Sequence, residues 1–334
     1  MGLMHVAHRV AVRAERLVDR FRSAPEEPPL FEAYRGYATP HDLILRGRVL
    51  TRIRADAPLP EQSKWTNLKQ MVSLFMTDEV ANVTVRVPGT LAEAQSDEEG
   101  YVTIALPRGD RTAGWREVTA MVEGSEDLPV ACPVLIPSDE ARFGVISDID
   151  DTMMQTGAYS LAKNLWTTFT GSAATRHVFP DSIELIRALS NDADAPIFYV
   201  SSSPWNLHAF LENTFKRAEL PLGPMFLRDL GISDTQFVTG THGDHKSAAI
   251  DTILEANPDL SFVLIGDTGQ HDAEIYLDAI QRHPDRIRAV VLRQPGPGPD
   301  DAAEAAMDKI KLTGVPLYSD TDFSGFAEPL LAED

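Results

Sequence analysis

From Phe143 onward, wholly apolar runs alternate with segments of helical spacing. The runs are Phe143–Ile146, Ile197–Val200, Phe262–Ile265 and Ala289–Leu292, and the helical segments between them include Asp181–Leu189, Leu207–Ala218 and Lys246–Ala256. Apolar strands separated by helices predict a parallel sheet covered on both faces, an α/β unit of Rossmann-like type. Upstream the period changes to two. Val83–Val87 and Tyr101–Leu106 alternate cleanly, Leu43–Arg54 does so in part, and Trp115–Val122 and Val130–Ile136 complete a set of short strands. Trp65, Leu68, Val72, Phe75 and Met76 share a helical face and interrupt that set. Such a series predicts a β-sandwich over residues 41–140. Val6, Val10, Ala14, Leu17 and Phe21 line one side of an N-terminal helix, which Pro25, Pro28 and Pro29 end. The expected division is therefore 1–40 as helix and linker, 41–140 as the smaller β-domain, and 141–334 as the α/β domain.

Composition narrows the picture. At 334 residues, 43% hydrophobic and 24% charged, the chain is of ordinary globular make-up and long enough for two domains. Its net charge of −20 argues against binding nucleic acid. A phosphorylated substrate stays admissible, because one bound cation inverts the field locally. Cys132 is the single cysteine, so neither an internal disulfide nor a cysteine metal site is available, and a reducing cytoplasm is the expected compartment. No apolar stretch reaches the length of a transmembrane helix, and the start lacks a secretory core. The N-terminal helix sets Arg9, Arg13, Arg16, Arg20 and Arg22 against Glu15 and Asp19. Such a face suits an anionic membrane surface or, alternatively, the acidic body of its own chain.

Candidate chemistry collects at the ends of the apolar runs, where ligands bind in parallel α/β sheets. Asp148 and Asp150, with Asp151 beside them, follow the first run directly. Carboxylates so spaced repel one another unless a cation or a shared proton compensates. The second run ends in Ser201-Ser202-Ser203, whose hydroxyls and backbone N–H groups suit phosphate oxygens. His245-Lys246 opens a helix. The surrounding Gly240–Ser247 is not a Walker A loop, since His245 stands where that motif needs glycine. The third run delivers Gly266-Asp267, with Asp272 five residues on, a reasonable site for a hard cation.

Together these phrases resemble the ordered motifs of haloacid dehalogenase-like phosphatases. Ser147–Thr152, Val200–Trp205, Leu227-Arg228-Asp229, Gly243–Lys246 and Gly266–Asp272 are more closely similar to the actin-patch-type phosphatidate phosphatase family, over roughly residues 143–295. That resemblance implies Asp148 as nucleophile and Asp150 as general acid and base. It implies Mg²⁺ held by Asp148, the Asp150 carbonyl and Asp267, with Asp272 in support. Ser201, or Ser202 in the other register, and Lys246 would hold the phosphoryl group. Thr152, Arg176, Arg228 and His271 are candidates for touching substrate. An insert over Met153–Pro180 carries Leu161, Leu165, Trp166 and Phe169, which could admit acyl chains or simply pack the insert down. The expected activity is hydrolysis of phosphatidate at a membrane surface by a cytoplasmic or peripheral enzyme. A phosphatase of a soluble ester and a non-catalytic interaction protein are the alternatives.

Overall fold

A computed structural model describes residues 28–51, 79–125, 128–154, 178–192, 194–229, 242–294, 296 and 298–332. The predicted helix over residues 3–22, the helical stretch around 65–76, Arg176 and most of the Met153–Pro180 insert lie outside them.

Two sheets organise the described chain. The first has seven strands: β1 (Leu30–Ala38), β2 (Asp42–Leu50), β3 (Thr84–Arg86), β4 (Glu93–Gln95), β5 (Tyr101–Pro107), β6 (Gly114–Val122) and β7 (Val130–Ile136). Their order is β4-β3-β6-β7-β1-β2-β5, antiparallel throughout except for the parallel pair β1–β7. The terminal strands β4 and β5 approach one another, so the sheet curls into a near-barrel. This corrects the expected sandwich. Alternation along a strand says that one face is buried, but a curled sheet closing on itself satisfies it as well as two sheets face to face. Phe31, Leu43, Leu45, Val85, Ile104, Val118 and Val134 fill the interior.

Strand β1 occupies residues that the proline-based reading gave to the linker. Its period is obscured because its buried residues serve two cores, Phe31 and Ala38 the near-barrel and Tyr37 the second unit. The pairing with β2 also slips between Tyr34 and Tyr37.

The second sheet is wholly parallel. It comprises β8 (Gly144–Asp148), β9 (Ile197–Pro204), β10 (Met225–Arg228), β11 (Phe262–Asp267), β12 (Ile287–Arg293) and β13 (Leu317–Asp320), in the order β10-β9-β8-β11-β12-β13. The helices are α1 (Pro180–Asp192), α2 (His208–Ala218), α3 (His242–Ala256), α4 (Asp272–Arg282), α5 (Asp301–Thr313) and α6 (Ala327–Ala332). Leu185, Ile186 and Leu189 of α1, Leu211 and Phe215 of α2 and Leu330 of α6 share one core. Ile250 and Ile253 of α3, Tyr276 and Ala279 of α4 and Ile310 of α5 share the other. Residues of one strand divide between them, with Val145 in the first and Ile146 in the second, so helices cover both faces. The chain runs outward from β8 to β10, then returns through α3 to β11 on the other side of β8. That reversal opens a crevice at the carboxyl ends of β8 and β11.

Packing there is tight. A Cβ on Gly144 would come within 2.2 Å of the Phe262 ring on the paired strand β11. Gly144→Ala should therefore destabilise the fold by about 1–3 kcal/mol, read as a lower urea midpoint; an unchanged midpoint would contradict the packing described.

Candidate active site

The strand ends deliver the acids. Asp148 is the last residue of β8, Asp267 the last of β11 and Asp272 the first of α4, and all three are buried. Each offers an oxygen within 4.8 Å of the others. The Lys246 ammonium, from near the start of α3, lies 2.7 Å from Asp148 Oδ1 and 2.5 Å from Asp272 Oδ1. The Asp267 backbone N–H donates to Asp272 Oδ2 at 3.1 Å. Both Asp272 oxygens are thus engaged, whereas Asp267 Oδ2 and Asp148 Oδ2 are sealed from solvent with no hydrogen-bond donor. Gly266 permits this closeness, since a Cβ there would sit 2.5 Å from Asp272 Oδ2 and 2.6 Å from the Tyr276 hydroxyl.

Burial and crowding set the electrostatics. Burial pushes the Asp148 carboxyl well above the usual range; Lys246 opposes this, while Asp272, Asp267 and Asp150 reinforce it. Asp267 is pushed up to about 8, by burial first and by Asp272 next. Burial alone would lower the Lys246 ammonium, yet Asp148, Asp272 and Asp267 together hold it above its ordinary value. Three acids against one ammonium leave a surplus of negative charge, which suits a divalent cation held by Asp148 and Asp267 with Asp272 behind them.

Asp150 stands apart from that trio. Its Oδ2 accepts hydrogen bonds from Ser201 Oγ (2.7 Å) and Ser203 Oγ (2.8 Å). Ser203 N–H donates to Ser201 Oγ at 2.9 Å, closing a small network. The Asp150 carbonyl, the oxygen expected at a metal, accepts from Gln270 Nε2 at 2.9 Å. Just past Asp150 the chain turns sharply: Asp151 adopts φ 55°, and the Met153 and Met154 N–H groups both return to the Ile149 carbonyl.

The other candidates separate by position. Thr152 is buried with its hydroxyl free of hydrogen-bond partners, and its carbonyl accepts from Ser182 Oγ (2.8 Å) and Arg293 Nε (3.3 Å). Ser202 is half-buried, on the opposite side of β9 from Ser201 and Ser203. Arg228 is half-buried at the end of β10. His271, in a left-handed conformation before α4, is exposed and meets Glu274 at 3.1 Å. Sequence reasoning missed three contributors. Ser203 was legible from strand alternation, which puts it beside Ser201. Gln270 lies inside the quoted Gly266–Asp272 phrase. Arg293 carried no signal in the chain; folded, it sits between the Phe179 and Phe323 rings and pairs with Asp181 at 2.5 Å.

Residues 143–294 match the family described as phosphatidate phosphatase APP1, catalytic domain. Over 152 residues the chain is 31% identical to phosphatidate phosphatase APP1 of Saccharomyces cerevisiae, covering 45% of this chain and 26% of that one. The matched segment belongs to the APP1-type catalytic domain family. An uncharacterized protein of Schizosaccharomyces pombe, C29B5.04c, is 27% identical over 162 residues, covering 48% of this chain and 26% of its own. The chain thus spans about a quarter of the length of these curated relatives. A solved Bacteroides ovatus GH5 xyloglucanase, in complex with a XXXG heptasaccharide, is similar over 86% of this chain and 83% of its own at 9% identity; its TM-score of 0.19 carries no fold argument. The APP1-type segment begins at the first residue before β8 and ends one residue past β12, so it contains every acid of the site and none of the seven-stranded sheet. Among the described residues no helix is long and apolar enough to cross a membrane.

If the carboxylate trio of the APP1-type domain holds a cation, Asp267→Asn should have two opposite effects. Without metal it removes a carboxyl that burial and Asp272 force to hold a proton at neutral pH, and should raise the thermal midpoint. With a divalent cation added, the wild type should gain stability and the variant little. Equal gains in both would remove Asp267 from the cation site.

Proposed function

We propose that the protein is a Mg²⁺-dependent phosphatase of haloacid dehalogenase-like type that hydrolyses a phosphate monoester through an aspartyl-phosphate on Asp148, with phosphatidate as substrate. The observation that carries this reading is the buried Asp148–Asp267–Asp272 cluster with its single ammonium, at the switch point of a parallel sheet and inside an APP1-type catalytic segment. The substrate assignment comes from the yeast relative, a phosphatidate phosphatase by name.

In the proposed reaction an Asp148 oxygen attacks phosphorus and the bond from phosphorus to the ester oxygen breaks. Protonated Asp150 gives its proton to the departing alkoxide from Oδ1. Ser201 and Ser203 fix the carboxyl through Oδ2, so the proton-bearing side keeps one orientation. Asp150, now a carboxylate, takes a proton from water as that water attacks phosphorus. The bond to Asp148 then breaks, and phosphate leaves. Two of the three Lys246 protons face Asp148 and Asp272, leaving the third for a phosphoryl oxygen. Asp148 and Asp267 would hold Mg²⁺, whose contribution when bound is to neutralise the acids and stabilise charge on the transferring phosphoryl.

Asp148→Asn should reduce Mg²⁺-dependent phosphate release to background, and Asp150→Asn should lower kcat by about 10²–10⁴-fold. Ser203→Ala should lower kcat about tenfold, as expected for loss of one hydrogen bond to a charged group. Retained activity in Asp148→Asn would contradict the mechanism. Rates on phosphatidate in mixed vesicles and on a water-soluble ester decide the substrate: faster turnover of the soluble ester would overturn the lipid assignment and leave the chemistry standing.

A further inference from the structure

The seven-stranded sheet lies outside the APP1-type segment, yet it packs on the residue that follows the serine-bearing strand and on that strand's neighbour β10. Tyr34 of β1 stacks on Trp205, with ring centroids 4.3 Å apart and planes 10° from parallel. Trp205 immediately follows Pro204, the last residue of β9, and begins the short turn into α2. Tyr37 of β1 meets Phe226 of β10 at 5.5 Å. Arg46 of β2 joins these contacts. Its Nη2 donates to the carbonyls of Arg35 (2.8 Å) and Met225 (3.0 Å). Its guanidinium carbon lies 4.4 Å from the Phe226 ring centre, 5.2 Å from that of Tyr37 and 5.6 Å from that of Trp205. Arg35 adds an ion pair to Glu212 on α2. Burial lowers Arg46 to about 10, so it stays a cation at neutral pH.

The gripped elements lead straight to the site. Strand β10 has four residues, forms the edge of its sheet and pairs with β9 through Phe226–Val200 and, after an irregularity, Arg228–Pro204. His245, the neighbour of Lys246, lies close to the backbone of both Phe226 and Ser201. The last half of β9 holds Ser201 and Ser203, the two donors to Asp150. A short edge strand and an irregular strand end have little of their own to fix them. Here they are fixed by an arginine and two tyrosines from the other sheet.

We infer that the seven-stranded sheet is a working part of the catalytic unit, with Arg46 as the positioning residue that sets the carboxyl end of β9 and hence the orientation of Asp150. This rests on the functional reading above, in which Asp150 transfers the proton. An arginine suits the role because a planar guanidinium can donate in its plane and stack on rings at once, which an ammonium cannot.

The test uses full-length Arg46→Met and Arg46→Lys, with Ile104→Val as a control. Ile104 lies in the near-barrel interior, away from the interface. Kinetics on p-nitrophenyl phosphate with Mg²⁺ are combined with hydrogen exchange of peptides covering residues 197–207. Arg46→Met should lower kcat about 10–100-fold with KM changed less than about threefold, as misplacement by about an ångström does. Arg46→Lys should recover part of kcat. Exchange at 201–207 should quicken in Arg46→Met while 262–267 is unchanged. Ile104→Val should lower the thermal midpoint and leave kcat alone. Wild-type kcat in Arg46→Met, or a loss of kcat without faster exchange at 201–207, would overturn the proposal. So would an equal loss of kcat in Ile104→Val. Should Arg46→Met fail to fold, Arg46→Lys is judged by the same kcat and exchange criteria. Should the wild-type protein hydrolyse no ester, the functional reading fails by itself, and exchange at 201–207 alone decides whether Arg46 holds the strand: unchanged exchange overturns that too.

Discussion

A carboxylate sealed from water loses hydration that only a cation or a proton can replace, and Asp148, Asp267 and Asp272 are all sealed within one small volume. Lys246 supplies part of the compensation, bridging Asp148 and Asp272. The surrounding fold reads as the means of meeting this constraint. Strands β8 and β11 lie side by side, so their ends bring Asp148 and Asp267 together. Helix α3 crosses back over the sheet and presents Lys246 from near its start. Gly266 lets Asp272 close against the backbone of β11. The charge left over is what would make the site bind a divalent cation and, through it, an anionic phosphoryl group.

Asp150 answers to a different constraint. It must change protonation state during the proposed reaction, so it cannot be locked into the same ion cluster. It stands two residues past the end of β8, and its orientation comes from two hydroxyls on β9. The division of labour between neighbouring acids thus depends on strand β9, and β9 in turn on what packs beyond it. Tyr34, Tyr37 and Arg46 tie that strand end to a sheet outside the family segment, so the site rests on both sheets.

Much of this arrangement was written in the local pattern. The four apolar runs are β8, β9, β11 and β12, and the acids that end β8 and β11 converge. Period and strand-end position capture such features because each depends on residues close in sequence. The remainder depends on partners far away. Strand β1 looked like linker, because its burial is shared between two cores and prolines precede it. The near-barrel looked like a sandwich, because inward alternation is the same in both. Strands β10 and β13 are only four residues long, too short to establish a period. Arg46 and Arg293 carry no local signal, and only the folded chain surrounds them with rings and carbonyls.

The central claim is covalent: phosphate passes through Asp148. Acid quenching during turnover of a monoester with Mg²⁺, followed by peptide mass analysis, measures this directly. The account predicts a peptide carrying one added phosphoryl group on Asp148, present during turnover and lost when substrate is exhausted. Steady turnover with Asp148 unmodified, or with the phosphoryl group on another residue, would contradict it.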